Sequence, residues 1–579
     1  MMKMTDNKLT KLFLKRRGYT NSFLTKINNP KHQKLQNIDE LCGILKTVHD
    51  AHEKLVIMPD FDTDGISAGT LGFAGFSELG FNVSLYMPDP RQGYGITRKD
   101  IDKVLAQYPD AKYIITCDVG ITCYEAFKYA YERGLKVLVT DHHEEEKIKP
   151  EPLKCEIIVD PCQLSETYRL REICGAYVLW QVLNNYAALY ADVNIQDNIS
   201  LLRVFAGIGT VGDMMTVYYE NRKLLKDMIA LLKFIYNDGV SDIAVSLGNS
   251  QPYKRAVYGL FALLKSVNKF GGLRNINDLD EKFVGWTIAP MYNSVKRLGL
   301  DMSLVFGIFF ADQKTQEKNS ETLIQANETR KKVVNAYFEK IQEELITFRQ
   351  PYAPFIYFTD APGGILGLLA NQLQQINNLP TFVINKATLA GSGRSYDYFP
   401  VISTLSGTDY NVKGHENAFG ISFKNKKQVS DFHKYLVDKI LPLAKEYEKT
   451  AIVDADLTLA PVEVPFKIDD LIDTGECFGF YHDMRLLKPF GQKLPEPVVK
   501  IIVPTSNCEF KVMGHEKQHL KAILGNNLEL IAWNSADMLE DLQKQKYFDF
   551  YGMFSVNNFG GKVSLQMIGD FAMMGKDNG

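Results

Sequence analysis

Short apolar runs ending in acidic or turn residues recur through the first part of the chain: LVIMPD, NVSLYMP, YIITCD, KVLVTD and EIIVDP. Between and after them lie segments with helical spacing, GISAGTLGFAGFSELG, YEAFKYAYERG and CGAYVLWQVLNNYAALYA. This alternation over residues 51–215 predicts a parallel sheet with helices on both faces. From 216 to 350 the pattern is helical. It ends in ETLIQANETRKKVVNAYFEKIQEEL, whose apolar positions Leu323, Ile324, Ala326, Val333, Val334, Tyr337 and Ile341 predict one helix of roughly 25 residues linking two lobes. Residues 351–449 return to strand–helix alternation with FIYFTD, GILGLLANQLQQIN and TFVINKA, followed by a glycine-rich GSGRS loop. Beyond 450 the pattern is mainly β, with YFDFYGMFSV and KVSLQMI predicting a hairpin about an Asn/Gly turn. The expected division is 1–50 helical extension, 51–215 parallel-sheet α/β domain, 216–350 helical connector, 351–449 second α/β domain and 450–579 β-rich domain.

Three of the strand ends carry the chemistry: DFDTDG (Asp60, Asp62, Asp64), TCDVG (Asp118) and TDHH (Asp141, His142, His143). The C-terminal edge of an open α/β sheet is where ligands bind. Alternate residues of an extended strand face one side, so Asp60, Asp62 and Asp64 are expected to converge. Two carboxylates ~7 Å apart repel by about 2 kcal/mol at an effective dielectric of ~20. An Asp at one strand end is ordinarily a cap or turn residue. DTDG is not a calcium loop either, because position 71 is Leu where that loop needs Glu. Three such ends, one followed by paired histidines, point instead to divalent cations, and with Asp118 and His142 there are ligands for two.

Composition adds bounds. A chain of 579 residues needs several cores, and 45% apolar with 23% charged residues is ordinary for globular proteins. No apolar run reaches the length of a membrane span, no signal-peptide core is present at the N-terminus, and the eight cysteines form no CxxC pair. A cytoplasmic monomer with reduced thiols is expected. The net charge of −3 hides an asymmetry: residues 1–50 hold ten Lys/Arg against four Asp/Glu, 221–350 hold 19 against 14, and 451–579 hold 12 against 18. The first two segments suit a phosphate backbone or an ordinary solvated face; the acidic third suits either a few placed DNA contacts or a protein partner.

In their order and spacing DFDTDG, CDVG and DHH resemble the DHH phosphoesterase superfamily. GIGTVGDM, with Asp213, resembles the fourth metal motif of that family, and GWTIAPMYNSVKRLG resembles the stretch usually reading igPriNAaGRlg. GILGLLANQL, GSGRS and KGHENAFG are similar to the DHH-associated domain, and LKPFGQKLPEPVV and HLKAIL to the OB-fold of RecJ-type single-strand-specific exonucleases. The likeness runs through nearly the whole chain.

The resemblance implies a 5′→3′ exonuclease of single-stranded DNA, acting in repair or recombination by a two-metal mechanism with Mn²⁺ or Mg²⁺. It places one cation on Asp60, Asp62 and Asp118, and the other on Asp64, Asp118, His142 and Asp213. Asp118 and His142 would then act in catalysis with His143, which donates to a phosphate oxygen or to the leaving 3′-oxygen; Asp141 would orient His142 from behind. Ser392, Gly393, Arg394 and Ser395 of GSGRS, together with His415, would hold DNA phosphates, with Arg297 and Asn293 as matched positions in the connector. The sequence departs from the pattern at Lys413 and Met291, and MPDPRQGYG is one residue short, which leaves Arg91 as a displaced phosphate ligand. In the C-terminal region Phe510, Trp533 and His519–Lys521 are candidate DNA contacts, with a single-strand-binding protein as the alternative occupant. Two other readings remain: a phosphodiesterase of short oligonucleotides or cyclic dinucleotides, and a non-catalytic replication scaffold. The C-terminal β region argues against the first, and the intact ligand set against the second.

Overall fold

The computed structural model describes residues 7–573 apart from 30–32, 90, 92–94, 146–150, 238–251, 274, 451–454, 456, 460–473, 515, 525–527 and 560–561. The chain forms two compact units, one of Met1–Lys31, Thr216–Arg222 and Val453–Gly579, the other of His32–Met215 and Lys223–Ile452.

The second unit opens on a five-stranded sheet of β1 (Lys54–Pro59), β2 (Val83–Leu85), β3 (Ala111–Cys117), β4 (Lys136–Thr140) and β5 (Ile157–Val159). Its order is β2-β1-β3-β4-β5 and every pairing is parallel. One face, with Val56, Ile114, Val137 and Val139, packs on Ile101 and Val104 of the Arg98–Gln107 helix and on Phe127 and Ala130 of the Tyr124–Glu132 helix. Ile57 faces the other way, toward the Thr63–Glu78 helix. That helix lies close to the Gly175–Tyr190 helix, because Gly72 and Gly75 admit Leu179 and Leu183. Register fixes the site. Pro59 pairs with Cys117, Cys117 with Thr140 and Thr140 with Val159, so these four strands end level. The next residue in each case is an aspartate, and the backbone N–H groups of Asp60, Asp118 and Asp141 donate to the last carbonyls of β3, β4 and β5.

The connecting helix is longer than expected, Gln313–Ile346, 34 residues and about 51 Å. Its first two turns, QKTQEKNS, carry no apolar stripe and so were invisible to periodicity. They are fixed by polar contacts instead: Asp312 caps Thr315, Gln316 donates to the Arg255 carbonyl, and Tyr258 donates to Glu317. The helix leads to a mixed sheet of β6 (Ile356–Thr359), β7 (Thr381–Asn385), β8 (Ala390–Arg394), β9 (Asn411–His415) and β10 (Ala418–Ser422), in the order β6-β7-β8-β10-β9. GSGRS therefore begins as a strand rather than a loop. A Cβ at Gly391 would lie 2.1 Å from the Val383 carbonyl and one at Gly393 2.4 Å from the Phe419 ring, so glycine here serves close packing.

The first unit holds β11 (Leu457–Leu459), β12 (Val499–Pro504), β13 (Cys508–Met513), β14 (His519–Leu524), β15 (Glu529–Ala532), β16 (Tyr547–Phe559) and β17 (Lys562–Met573), ordered β11-β12-β16-β17-β15-β14-β13. β16 and β17 pair antiparallel as the expected hairpin, its turn outside the described residues. A Thr474–Leu487 helix interrupts what reads as a β region. The expected 1–50 segment is split between the units. The Lys8–Arg16 helix packs Phe13 on Phe480 and bonds Thr10 to Asp483 within the first unit. The Ile38–Asp50 helix lies on the Gly175–Tyr190 helix of the second, where Asn185 donates to Asp39. Among the described residues no helix is long and apolar enough to cross a membrane.

Arg222 is the largest fully buried side chain of the first unit. Its guanidinium donates to Asn28 and to the carbonyls of Leu487, Lys488 and Pro489. Each buried carbonyl left unpaired costs about 1–3 kcal/mol. Arg222→Met should therefore lower the stability of this unit by about 3 kcal/mol or more, read as lost hydrogen-exchange protection in β12 and β16. Unchanged protection would show that these bonds are replaced by water.

Candidate metal centre and phosphate cradle

DFDTDG is not an extended strand with three carboxylates on one side. The chain turns into a helix at Thr63, and Asp62 caps it, its Oδ1 accepting from Asp64 N (2.9 Å) and Gly65 N (3.1 Å). The convergence of Asp60, Asp62 and Asp64 comes from this turn, which Gly65 permits: a Cβ there would lie 2.3 Å from the Asp60 carbonyl. Asp64 accepts from Gly175 N (2.6 Å) and Ala176 N (3.2 Å) at the start of the Gly175–Tyr190 helix, whose dipole favours a carboxylate. Asp118 sits in the left-handed region at φ 64°, an uncommon conformation for a residue with a Cβ. Glycines bring these groups together, since a Cβ at Gly175 would lie 2.5 Å from Asp118 Cβ and one at Gly209 2.1 Å from Asp64 Oδ1.

His142 Nε2 lies 2.9 Å from Asp118 Oδ1, 3.5 Å from Asp213 Oδ2 and 3.8 Å from Asp64 Oδ2. Asp60, Asp62 and Asp118 form a second group, each offering an oxygen within 4.8 Å of the others. Asp118 Oδ1 and His142 Nε2 are buried without a hydrogen-bond partner despite their proximity. Burial first, then the neighbouring Asp62 charge, pushes Asp60 up to about 7 and Asp64 up to about 6. Burial and the Asp64 charge push Asp213 to about 8 and hold Asp118 well above the carboxylate range. Burial, aided by His143, takes His142 down to about 4, a neutral imidazole. Buried carboxylates that repel one another and two unpartnered atoms aimed at one point fit divalent cations; oxygen-rich ligation with one imidazole suits Mn²⁺ or Mg²⁺.

Asp141 does not orient the His142 ring. It accepts from Ile121 N (2.9 Å), from the backbone N–H groups of His142 (2.8 Å) and His143 (3.3 Å), and from His143 Nδ1 (2.8 Å). Burial opposes its charge, but the His143 hydrogen bond and the nearby imidazoles outweigh burial and hold Asp141 below its ordinary value. Burial likewise opposes the charge on His143, and the Asp141 hydrogen bond and charge more than compensate, raising His143 to about 9. Asp160 makes the expected turn, accepting from Cys162 N at 2.6 Å.

The phosphate candidates separate. Arg394, at the end of β8, donates to the Gly393 carbonyl (2.8 Å) and rests on the Gly363–Asn377 helix, where Gly367 leaves room for its guanidinium. Burial, then the charges of Arg330 and Arg394, lowers Arg297 to about 10. None of these three arginines forms an ion pair with a carboxylate among the described residues. Arg330 was missed in the sequence; its only signal is the Asn327–Arg330 pair, bonded at 3.0 Å, on the buried side of the long helix. His415 ends β9 within the field of His143: desolvation lowers it and the His143 charge adds to that. Ser395 is committed elsewhere, its Oγ donating to the Phe399 carbonyl and its N–H to the Asn417 carbonyl. The backbones of Ser392 and Gly393 are paired within the sheet, and Asn293 is half-buried on the Ala289–Leu298 helix that also carries Arg297. Arg91 stands apart, exposed and paired with Asp89 at 2.8 Å. In the first unit Trp533 is half exposed against His519, whereas Phe510 packs on Phe548 and Lys521 pairs with Glu529.

Because Gly209 admits the Asp64 carboxylate, Gly209→Ala should weaken Mn²⁺ binding by about 10–100-fold, with helix content by circular dichroism unchanged. Undiminished Mn²⁺ affinity would show that Asp64 is not held there.

The DHH family N-terminal domain model matches residues 54–208 and the RecJ OB domain model residues 469–570. The Single-stranded-DNA-specific exonuclease RecJ of Haemophilus influenzae is 24% identical over 572 residues, covering 93% of this chain and 90% of that protein. The protein of the same name from Bacillus subtilis is 25% identical over 552 residues, covering 92% of this chain and 63% of its own length. In fold, the crystal structure of RecJ in complex with Mn²⁺ from Thermus thermophilus superposes with a TM-score of 0.70 over 98% of this chain and 76% of that one, at 19% identity. A segment matching the DHH family N-terminal domain and a segment matching the RecJ OB domain thus lie in one chain that is similar to RecJ proteins over more than nine-tenths of its length.

Proposed function

We infer that this chain is an exonuclease of single-stranded DNA that hydrolyses phosphodiester bonds with two divalent cations. The observation that carries the reading is the group Asp60, Asp62 and Asp118 beside the group Asp64, His142 and Asp213, with Asp118 Oδ1 and His142 Nε2 lying 2.9 Å apart between them, both buried and without a hydrogen-bond partner. Asp60, Asp62 and Asp118 would hold one cation, and Asp64, Asp118, His142 and Asp213 the other. Bound there, the ions supply Lewis-acid stabilisation of phosphoryl charge and an activated water. Within the chain, Asp141 holds the His143 ring through Nδ1 and favours its protonated form, which suits giving a proton to a phosphate oxygen or to the departing 3′-oxygen. Arg297, Arg330 and Arg394 supply unpaired guanidinium charge for the strand's phosphates, and His415 approaches from the same lobe.

The 5′→3′ direction, a role in repair or recombination, a monomeric cytoplasmic enzyme and a single-strand-binding protein as partner belong to the same proposal, supported by the likeness to the RecJ proteins. In the C-terminal region the exposed Trp533–His519 pair suits stacking of bases. Quenching of Trp533 fluorescence by an oligonucleotide tests this; no quenching favours protein docking.

Strands labelled at the 5′ or the 3′ end, duplex and dinucleotide, assayed with Mn²⁺ and then chelator, test the whole reading. Mononucleotides should leave single strands from the 5′ end only with metal. Asp118→Ala should lose several orders of magnitude in rate. Arg394→Ala should mainly raise KM, and His143→Ala should mainly lower kcat by about 10²–10⁴-fold. Full activity in chelator, or of Asp118→Ala, would contradict the two-metal reading; preference for dinucleotide would favour a small-substrate enzyme.

A further inference from the structure

The residues interleaved between the acidic ligands of the first strand end are both held by the Ala289–Leu298 helix. Thr63, between Asp62 and Asp64, donates its hydroxyl to the Ala289 carbonyl at 3.2 Å. Phe61, between Asp60 and Asp62, is buried beneath Lys296, whose Nζ lies 4.2 Å from the ring centroid. Positions 289 and 296 are two turns apart, so one face of this helix runs along the metal loop.

A lysine in the last turn of a helix is ordinary, because its charge complements the carbonyl end. Lys296 does more than this. It forms no ion pair with a carboxylate among the described residues, and the aromatic face holds its ammonium in place without neutralising it. Its charge acts on Asp60, opposing the burial and the Asp62 repulsion that raise that carboxyl. Beside a group of carboxylates that is to bind a cation, such a charge works against the metal. What it favours is an anion arriving at the same rim.

We propose that Lys296, held on the Phe61 ring, positions a phosphate of the DNA strand at the Asp60–Asp62–Asp118 side of the centre, and that it weakens the affinity of that side for its cation. The inference rests on the reading of the centre as a phosphodiesterase. Nζ sits on the ring and pairs with no carboxylate among the described residues, so the charge remains available to substrate. Removing it should then shift two affinities in opposite directions, which loss of a merely structural contact would not do.

The test uses the full chain, its Lys296→Met variant and its Lys296→Arg variant. Mn²⁺ binding without DNA is read by electron paramagnetic resonance of the free ion, and binding of a fluorescent oligothymidylate by anisotropy in chelator. Lys296→Met should bind the oligonucleotide about tenfold more weakly and Mn²⁺ several-fold more tightly, and Lys296→Arg should recover oligonucleotide binding. Both affinities unchanged in Lys296→Met, or both weakened in the two variants alike, would overturn the proposal. A wild-type protein that binds Mn²⁺ but neither binds nor cleaves single strands would instead remove the phosphodiesterase reading, and the proposal with it.

Discussion

Mutual repulsion among buried carboxylates is the constraint that the catalytic fold is built around. Asp60, Asp64 and Asp118 are nearly inaccessible to solvent, and Asp213 closes the group. Left to themselves such groups separate or take up protons. The parallel sheet opposes separation by ending its strands level, so that Asp60 and Asp118 are anchored through their own N–H groups to neighbouring strand ends, as is Asp141 beside them. Helix starts provide the local compensation: Asp62 caps its own helix, and Asp64 takes the first amides of another. The glycines at 65, 175 and 209 let backbone and carboxylate approach within distances that any Cβ would forbid. What the protein leaves uncompensated, at Asp118 Oδ1 and His142 Nε2, is what a cation would complete.

Around this negative centre, positive charge is arranged in two ways. Arg297, Arg330 and Arg394 are drawn from three separate elements: the Ala289–Leu298 helix, the long helix and the end of β8. Burial first, and then the charges of Arg330 and Arg394, lowers Arg297. Lys296 is adjacent to Arg297 in sequence yet lies on the opposite problem, against the metal loop. A phosphodiester strand is the kind of ligand that relieves both, since it brings regularly spaced negative charge to cations that have no acid of their own.

The acidic strand ends could be read from sequence because apolar β-branched runs and the residues that follow them are local features. Their convergence could be expected but its cause could not: DFDTDG gathers its carboxylates through a helix start and Gly65, not through strand alternation. Arg330 escaped because a basic residue on a long helix looks like a solvated face until Arg297 and Arg394 are brought beside it. Asp141 bonds the His143 ring rather than that of His142, a side-chain pairing that the TDHH string alone does not distinguish. The GSGRS strand and the two polar turns of the long helix were hidden for one reason: tertiary contacts fix them where local propensity does not.

Mn²⁺ titration of the apoprotein, followed by electron paramagnetic resonance, tests the central claim most directly. A centre in which Asp118 serves both the Asp60–Asp62 side and the Asp64–His142–Asp213 side should take up two ions with coupled spins, and Asp118→Ala should abolish the coupling. A single ion, or two uncoupled ions with spectra indifferent to Asp118, would contradict the account.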